Sequence, residues 1–127
     1  MALAVAASWG SMLAHNLYSL PLAPIDMENS GPLIVAAGLL AAYWLRPNSR
    51  PVKVAILGWA LLNLVVGGII TVLPLPFLPF EPEQSVNHYL AHVVYSLGQV
   101  PLTALTLAAL RREVAIGNGA QGQPRHQ

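Results

Sequence analysis

Four long apolar stretches, separated by short clusters of charge or proline, set the rhythm of this chain. They occupy residues 2–22, 30–45, 52–73 and 87–110. A helix needs about 20 residues to cross a hydrocarbon core of about 30 Å, and about 17 suffice when it stands upright. The second stretch, bounded by Glu28 and Arg46, is the shortest and just reaches that length. Pro32 fits the first turn of a helix there, with Gly31 or Ser30 as its cap. The pattern therefore predicts an all-α, polytopic integral membrane protein with four transmembrane helices. Pro101 should kink the last of them.

Charge adds a direction to these spans. Arg46 and Arg50 lie between the second and third stretches, Lys53 stands at the head of the third, and Arg111 and Arg112 follow the fourth. The other two connections carry Asp26 and Glu28, then Glu81 and Glu83, with neither Lys nor Arg. Basic residues favour the cytoplasmic side, so both termini are expected there. The amino terminus has no positively charged leader region and reads as a retained helix. Residues 1–112 are expected to form one transmembrane domain, and 113–127 a flexible cytoplasmic tail rich in Gly and Gln. A bacterial plasma membrane is the expected location, through the association of Arg-over-Lys usage with GC-rich bacterial genomes.

Composition narrows the classes of partner. The chain is 55% hydrophobic and 9% charged, where a soluble domain carries about 25% charged residues. A net charge of +1 argues against nucleic acid, which needs clustered Lys and Arg. With no cysteine, disulfides, iron–sulfur clusters and thiolate zinc sites are excluded.

The candidate chemistry lies in a phrase written twice: LAHNLYSL from Leu13 to Leu20, and LAHVVYSL from Leu90 to Leu97. A tandem duplication of a helix pair would match the first helix to the third, so the recurrence does not point to one. With the first helix running outward and the fourth inward, both copies lie near the outer face, and His15 and His92 face each other if those helices are neighbours. His88, His92, Tyr95, Gln99 and Thr103 step along one stripe of the fourth helix, and Ser8, Ser11, His15 and Tyr18 or Ser19 along the first. Hydrocarbon rejects such groups, so the stripes should turn inward. Gly67 and Gly68 in the third helix, with Gly38, Ala41 and Ala42 in the second, offer places for close approach.

Three ligand chemistries fit the cluster. His15 and His92 are the natural axial pair for a haem. His88 and His92, four apart, join His15 as possible ligands of copper or another transition metal. A quinone, lipid or small solute would find hydrogen bonds from His15, His92, Tyr18, Tyr95 and Gln99. The plainer alternative is that these groups bond across helices and set their register. Apart from Lys53 at the head of the third, no charge lies within the four stretches, and no nucleophile sits beside a base, so no catalytic residue is expected.

The preferred expectation is a small accessory or scaffolding subunit that stabilises a larger membrane complex. Its partners would be larger membrane subunits and the lipid bilayer, with no cofactor required. The alternative is a haem-, metal- or quinone-binding membrane protein built on the His/Tyr cluster. The proline-rich connection LPLPFLPFEPEQS would cap the outer surface or serve as a docking strip.

Overall fold

The computed structural model describes residues 1–20 and 22–121. They form an all-helical protein of four helices: α1 (Ala2–Ser19), α2 (Met27–Leu45), α3 (Arg50–Leu61) and α4 (Val86–Gln121). There is no strand among the described residues. α3 continues through a π-helical segment, Leu62–Gly67, and a short 3₁₀ turn, Ile70–Val72. Two segments, Arg50–Val72 and Val86–Ala115, are long and apolar enough to cross a membrane. α1 and α2 have 18 and 19 residues, their apolar runs diluted at one end by His15 and Asn16 and by Glu28, Asn29 and Ser30.

Local chemistry accounts for the helix ends, several of which depart from the apolar pattern. α1 stops at Ser19 rather than at 22, because Leu20 precedes a proline and is pushed to extended backbone (φ −129°, ψ 149°). α2 begins three residues earlier than expected. Asp26 is its N-cap residue, its carboxylate accepting the Ala23 N–H at 2.6 Å and its carbonyl the N–H groups of Asn29 and Ser30. Pro32 consequently sits inside the helix and not in its first turn, and neither Ser30 nor Gly31 is the cap. α4 starts where the Ser85 hydroxyl accepts the His88 N–H at 3.2 Å. It passes Pro101 without a break and runs on to Gln121. Residues 113–121 are thus helical where a flexible tail was expected; 122–127 lie outside the described residues. The physical reason is at hand: Glu113 pairs with Lys53 in the first turn of α3, which ties the extension to the bundle.

α4 is the central element, packed chiefly on α1 and next on α3, while α2 touches α1 and α3. A small core of Ala4, Val5, Ala36, Ile56, Ala60 and Leu102 fills the end near the amino terminus. The surface is inverted relative to a water-soluble bundle. Leu3, Ile34, Trp44, Leu45 and Leu97 are exposed, while Ser8, Asn29, Gln99 and Thr106 are buried.

The polar residues of the α1–α4 seam around Gln99 are engaged. The Gln99 amide, fully buried, donates to the Ser8 carbonyl at 2.9 Å and accepts from the Ser8 hydroxyl. Thr103 and Thr106 return their hydroxyls to the carbonyls one turn back in α4. Beside Gln99, Gly98 lets α1 approach so closely that an added Cβ would collide with Ser11 and stand 2.9 Å from the Ala7 carbonyl. Gly67 and Gly68 do the same against Tyr95 and Ser96, but Gly38 faces open space, so it mediates no approach.

Candidate functional site

The two copies of the repeated phrase meet at their histidines and then part. α1 and α4 are antiparallel, so the same sequence offset leads to opposite ends of the bundle. Three residues past His15, Tyr18 has moved outward and is 67% exposed; three past His92, Tyr95 has moved inward and is 4% exposed. Tyr18 is therefore not brought to the site. Gln99, one turn deeper than Tyr95, serves the α1–α4 seam instead. Tyr95 borders the site but directs its hydroxyl to Asn63 Oδ1 at 3.0 Å.

What does converge is a trio of imidazoles. His15 and His92 ring centroids are 4.3 Å apart and nearly perpendicular, at 75°. His88 lies 4.6 Å from His92 and 5.9 Å from His15. One ring nitrogen from each of the three lies within 4.8 Å of the others. They line a cavity of about 570 Å³ that also touches Met12, Ser19, Gly67 and the loop residues Phe80, Glu81 and Glu83.

Hydrogen bonds fix which nitrogen each ring can offer. Asn29 donates its amide to the Ala23 carbonyl at 2.8 Å, which turns its oxygen toward Asn16. Asn16 donates to that oxygen at 2.8 Å, and so presents its own oxygen to His15 Nδ1 at 3.0 Å. An amide oxygen only accepts, so His15 carries its proton on Nδ1 and keeps a lone pair on Nε2. That Nε2 is buried and has no partner among the described residues; neither has the Ser19 hydroxyl, whose residue lines the same cavity. On the other helix His92 Nδ1 is 3.2 Å from the Gly68 carbonyl, and the same logic leaves His92 Nε2 as a bare acceptor. Gly68 reaches this place because the π-helical segment carries an extra residue per turn just before it.

A transition metal suits this arrangement. Metal-bound imidazoles typically give their second ring N–H to a carbonyl or carboxylate, as His15 and His92 do here. Around a tetrahedral ion at about 2.0–2.1 Å, nitrogens stand about 3.3 Å apart, so small ring rotations close the trio. A haem between His15 and His92 does not fit. Its two axial nitrogens would stand about 4 Å apart on opposite faces of the macrocycle, whereas these rings touch edge to face with no slot between them. The cavity has the size of a small-molecule site, for which about 300–1,000 Å³ is usual.

Sequence reasoning found the three histidines but missed Asn16, Asn29 and the Gly68 carbonyl. Asn29 in particular stands outside the apolar pattern, yet it is fully buried, and its carbonyl also accepts the Trp9 indole N–H at 3.1 Å. The available signal was its position three residues after Asp26, at the start of a helix. No protein-family model, no curated protein and no solved structure matches this chain, so the geometry of its own residues carries the functional reading.

Proposed function

We propose that this is a four-span integral membrane protein, with both termini on the cytoplasmic side of a bacterial plasma membrane, that binds a transition-metal ion between α1 and α4 near the outer face. The spans are supported by the outward apolar surface, the inward polar seam and the placement of Arg and Lys at one end. At about 1.5 Å per residue, α1 and α2, of 18 and 19 residues, reach about 27–29 Å, enough for a nearly upright crossing.

One observation carries the metal reading: three imidazoles from two helices converge, and one of them offers a buried Nε2 that no group among the described residues satisfies. A buried acceptor left alone is costly, and an ion would remove that cost. Bound by neutral nitrogens with an open side toward the cavity, the ion would be held tightly yet remain reachable.

The test is a titration of the purified full-length chain in mild detergent with Co²⁺ as the optical probe, followed by displacement with Zn²⁺ and metal analysis. One ion per chain is expected, with affinity falling at least about tenfold in His92→Ala. A wild-type chain that takes up neither metal, or one that binds equally well with His15 and His92 both changed to alanine, sinks the proposal.

A second reading, an accessory subunit of a larger membrane complex, has its own observation. Tyr18 is 67% exposed at the outer end of α1 and shares a shallow groove with Asn87, Leu90, Ala91 and Val94 of α4. Polar groups on an otherwise apolar flank suit a protein neighbour. Gentle solubilisation should then yield one defined larger partner, and Tyr18→Ala should release it; recovery of the chain alone counts against this role.

A further inference from the structure

The cavity that ends at the histidines has a second feature, at its mouth. Glu81 and Glu83, both exposed on the proline-rich loop, line the same space as His15, His88 and His92. Among the described residues, no Lys or Arg borders it. The loop is held in place from both sides: Gln84 donates to the Val72 carbonyl at 3.3 Å and to the Pro82 carbonyl at 3.0 Å, and accepts from the Tyr89 hydroxyl. Pro79 and Pro82 stiffen the same stretch. The two carboxylates therefore stay at the entrance, on the path between outside water and the imidazoles.

Resting on the metal reading above, we infer that the cavity is a loading port for a hydrated divalent first-row ion, such as Zn²⁺ or Cu²⁺, arriving from the compartment that the proline-rich loop faces. The hard carboxylates attract the aquo ion and receive it while water still surrounds it; the borderline imidazoles then replace the water. Low-dielectric helix walls concentrate the field of the two carboxylates along the cavity. Three protein ligands leave one coordination position toward the cavity, so the ion can leave the way it entered. This makes the site exchangeable, in contrast to a structural site closed by four protein ligands. Met12 lines the cavity as well, but a single thioether among three imidazoles does not make a site for a soft monovalent ion.

The distinguishing measurement is the rate of Co²⁺ loading by the full chain in detergent, followed by stopped-flow absorbance, for the wild type and for a variant carrying Glu81→Gln and Glu83→Gln. The variant should load roughly 3- to 10-fold more slowly while reaching the same final spectrum and stoichiometry. Wild-type loading should also slow as salt rises from about 0.01 to about 0.1 M, over which the screening length falls from about 30 to about 10 Å. Equal loading rates in the two chains, or a wild-type rate indifferent to salt, overturn the port while leaving the histidine site standing. A spectrum that changes in the variant means that a carboxylate is a ligand and overturns the open, three-imidazole form. Absence of any Co²⁺ signal in the wild type removes the metal reading itself, and the port with it.

Discussion

At the scale of single residues, the Asn29–Asn16–His15 chain makes each orientation a consequence of the one before it. Its end product is a lone pair on a buried nitrogen of a ring that lines the cavity. Asn16→Ala removes the acceptor that holds the His15 proton on Nδ1. Metal affinity should fall about 10- to 100-fold, as outer-shell losses usually do, and the metal-free chain should lose about 1–3 kcal/mol of stability because the buried Asn29 oxygen is stranded. Tyr95→Phe is the complementary case. It deletes the bond to Asn63, which should cost about 0.6 kcal/mol and at most about 1.7, and it should leave Co²⁺ binding intact. If instead the two variants exchanged these phenotypes, the division between site and scaffold drawn above would be wrong.

Helices and their contacts set larger penalties. Gly98 is where α1 and α4 touch, so Gly98→Val should separate them and cost about 1–3 kcal/mol in thermal unfolding in detergent. Gly38 is the control: its Cβ position is empty, and Gly38→Ala should be neutral or stabilising by about 0.5–1 kcal/mol through helix propensity. The Lys53–Glu113 pair ties the first turn of α3 to the extension of α4, with Lys53 only 7% exposed. Glu113→Gln strands that ammonium and should destabilise by about 1–3 kcal/mol. A loss of that size from Gly38→Ala, or none from Gly98→Val, would contradict the packing described.

The molecule as a whole turns its polar groups inward and its aliphatic side chains outward, the arrangement a bilayer demands and water disfavours. Its topology is directly testable because the chain has no cysteine. Single cysteines at Ser49, in the α2–α3 connection, and at Phe77, in the α3–α4 loop, should react with a membrane-impermeant thiol reagent from opposite sides of oriented vesicles. Labelling of both from one side would exclude a crossing between them and undo the four-span proposal.

Much of this was legible along the chain, and the reasons are physical. Apolar runs, their bounding charges and their prolines determined that the described part of the protein is helical, how many helices it has, and where each roughly lies, because long apolar helices are written in local composition. The spacing of His88 and His92 on one helix face was equally local. Helix ends were less visible, since Asp26 caps α2 through its backbone carbonyl and a turn closed by its side chain, and Glu113 extends α4 through a partner sixty residues away in sequence. Only the tertiary structure decided that α1 lies beside α4 in a register that joins His15 to His92 while sending Tyr18 and Tyr95 apart. Antiparallel packing gives equal sequence offsets opposite directions in space, and no single stretch of sequence carries that information. The same holds for Asn16, Asn29 and the Gly68 carbonyl: each became part of the site only when three helices and a π-turn brought hydrogen-bond partners into line.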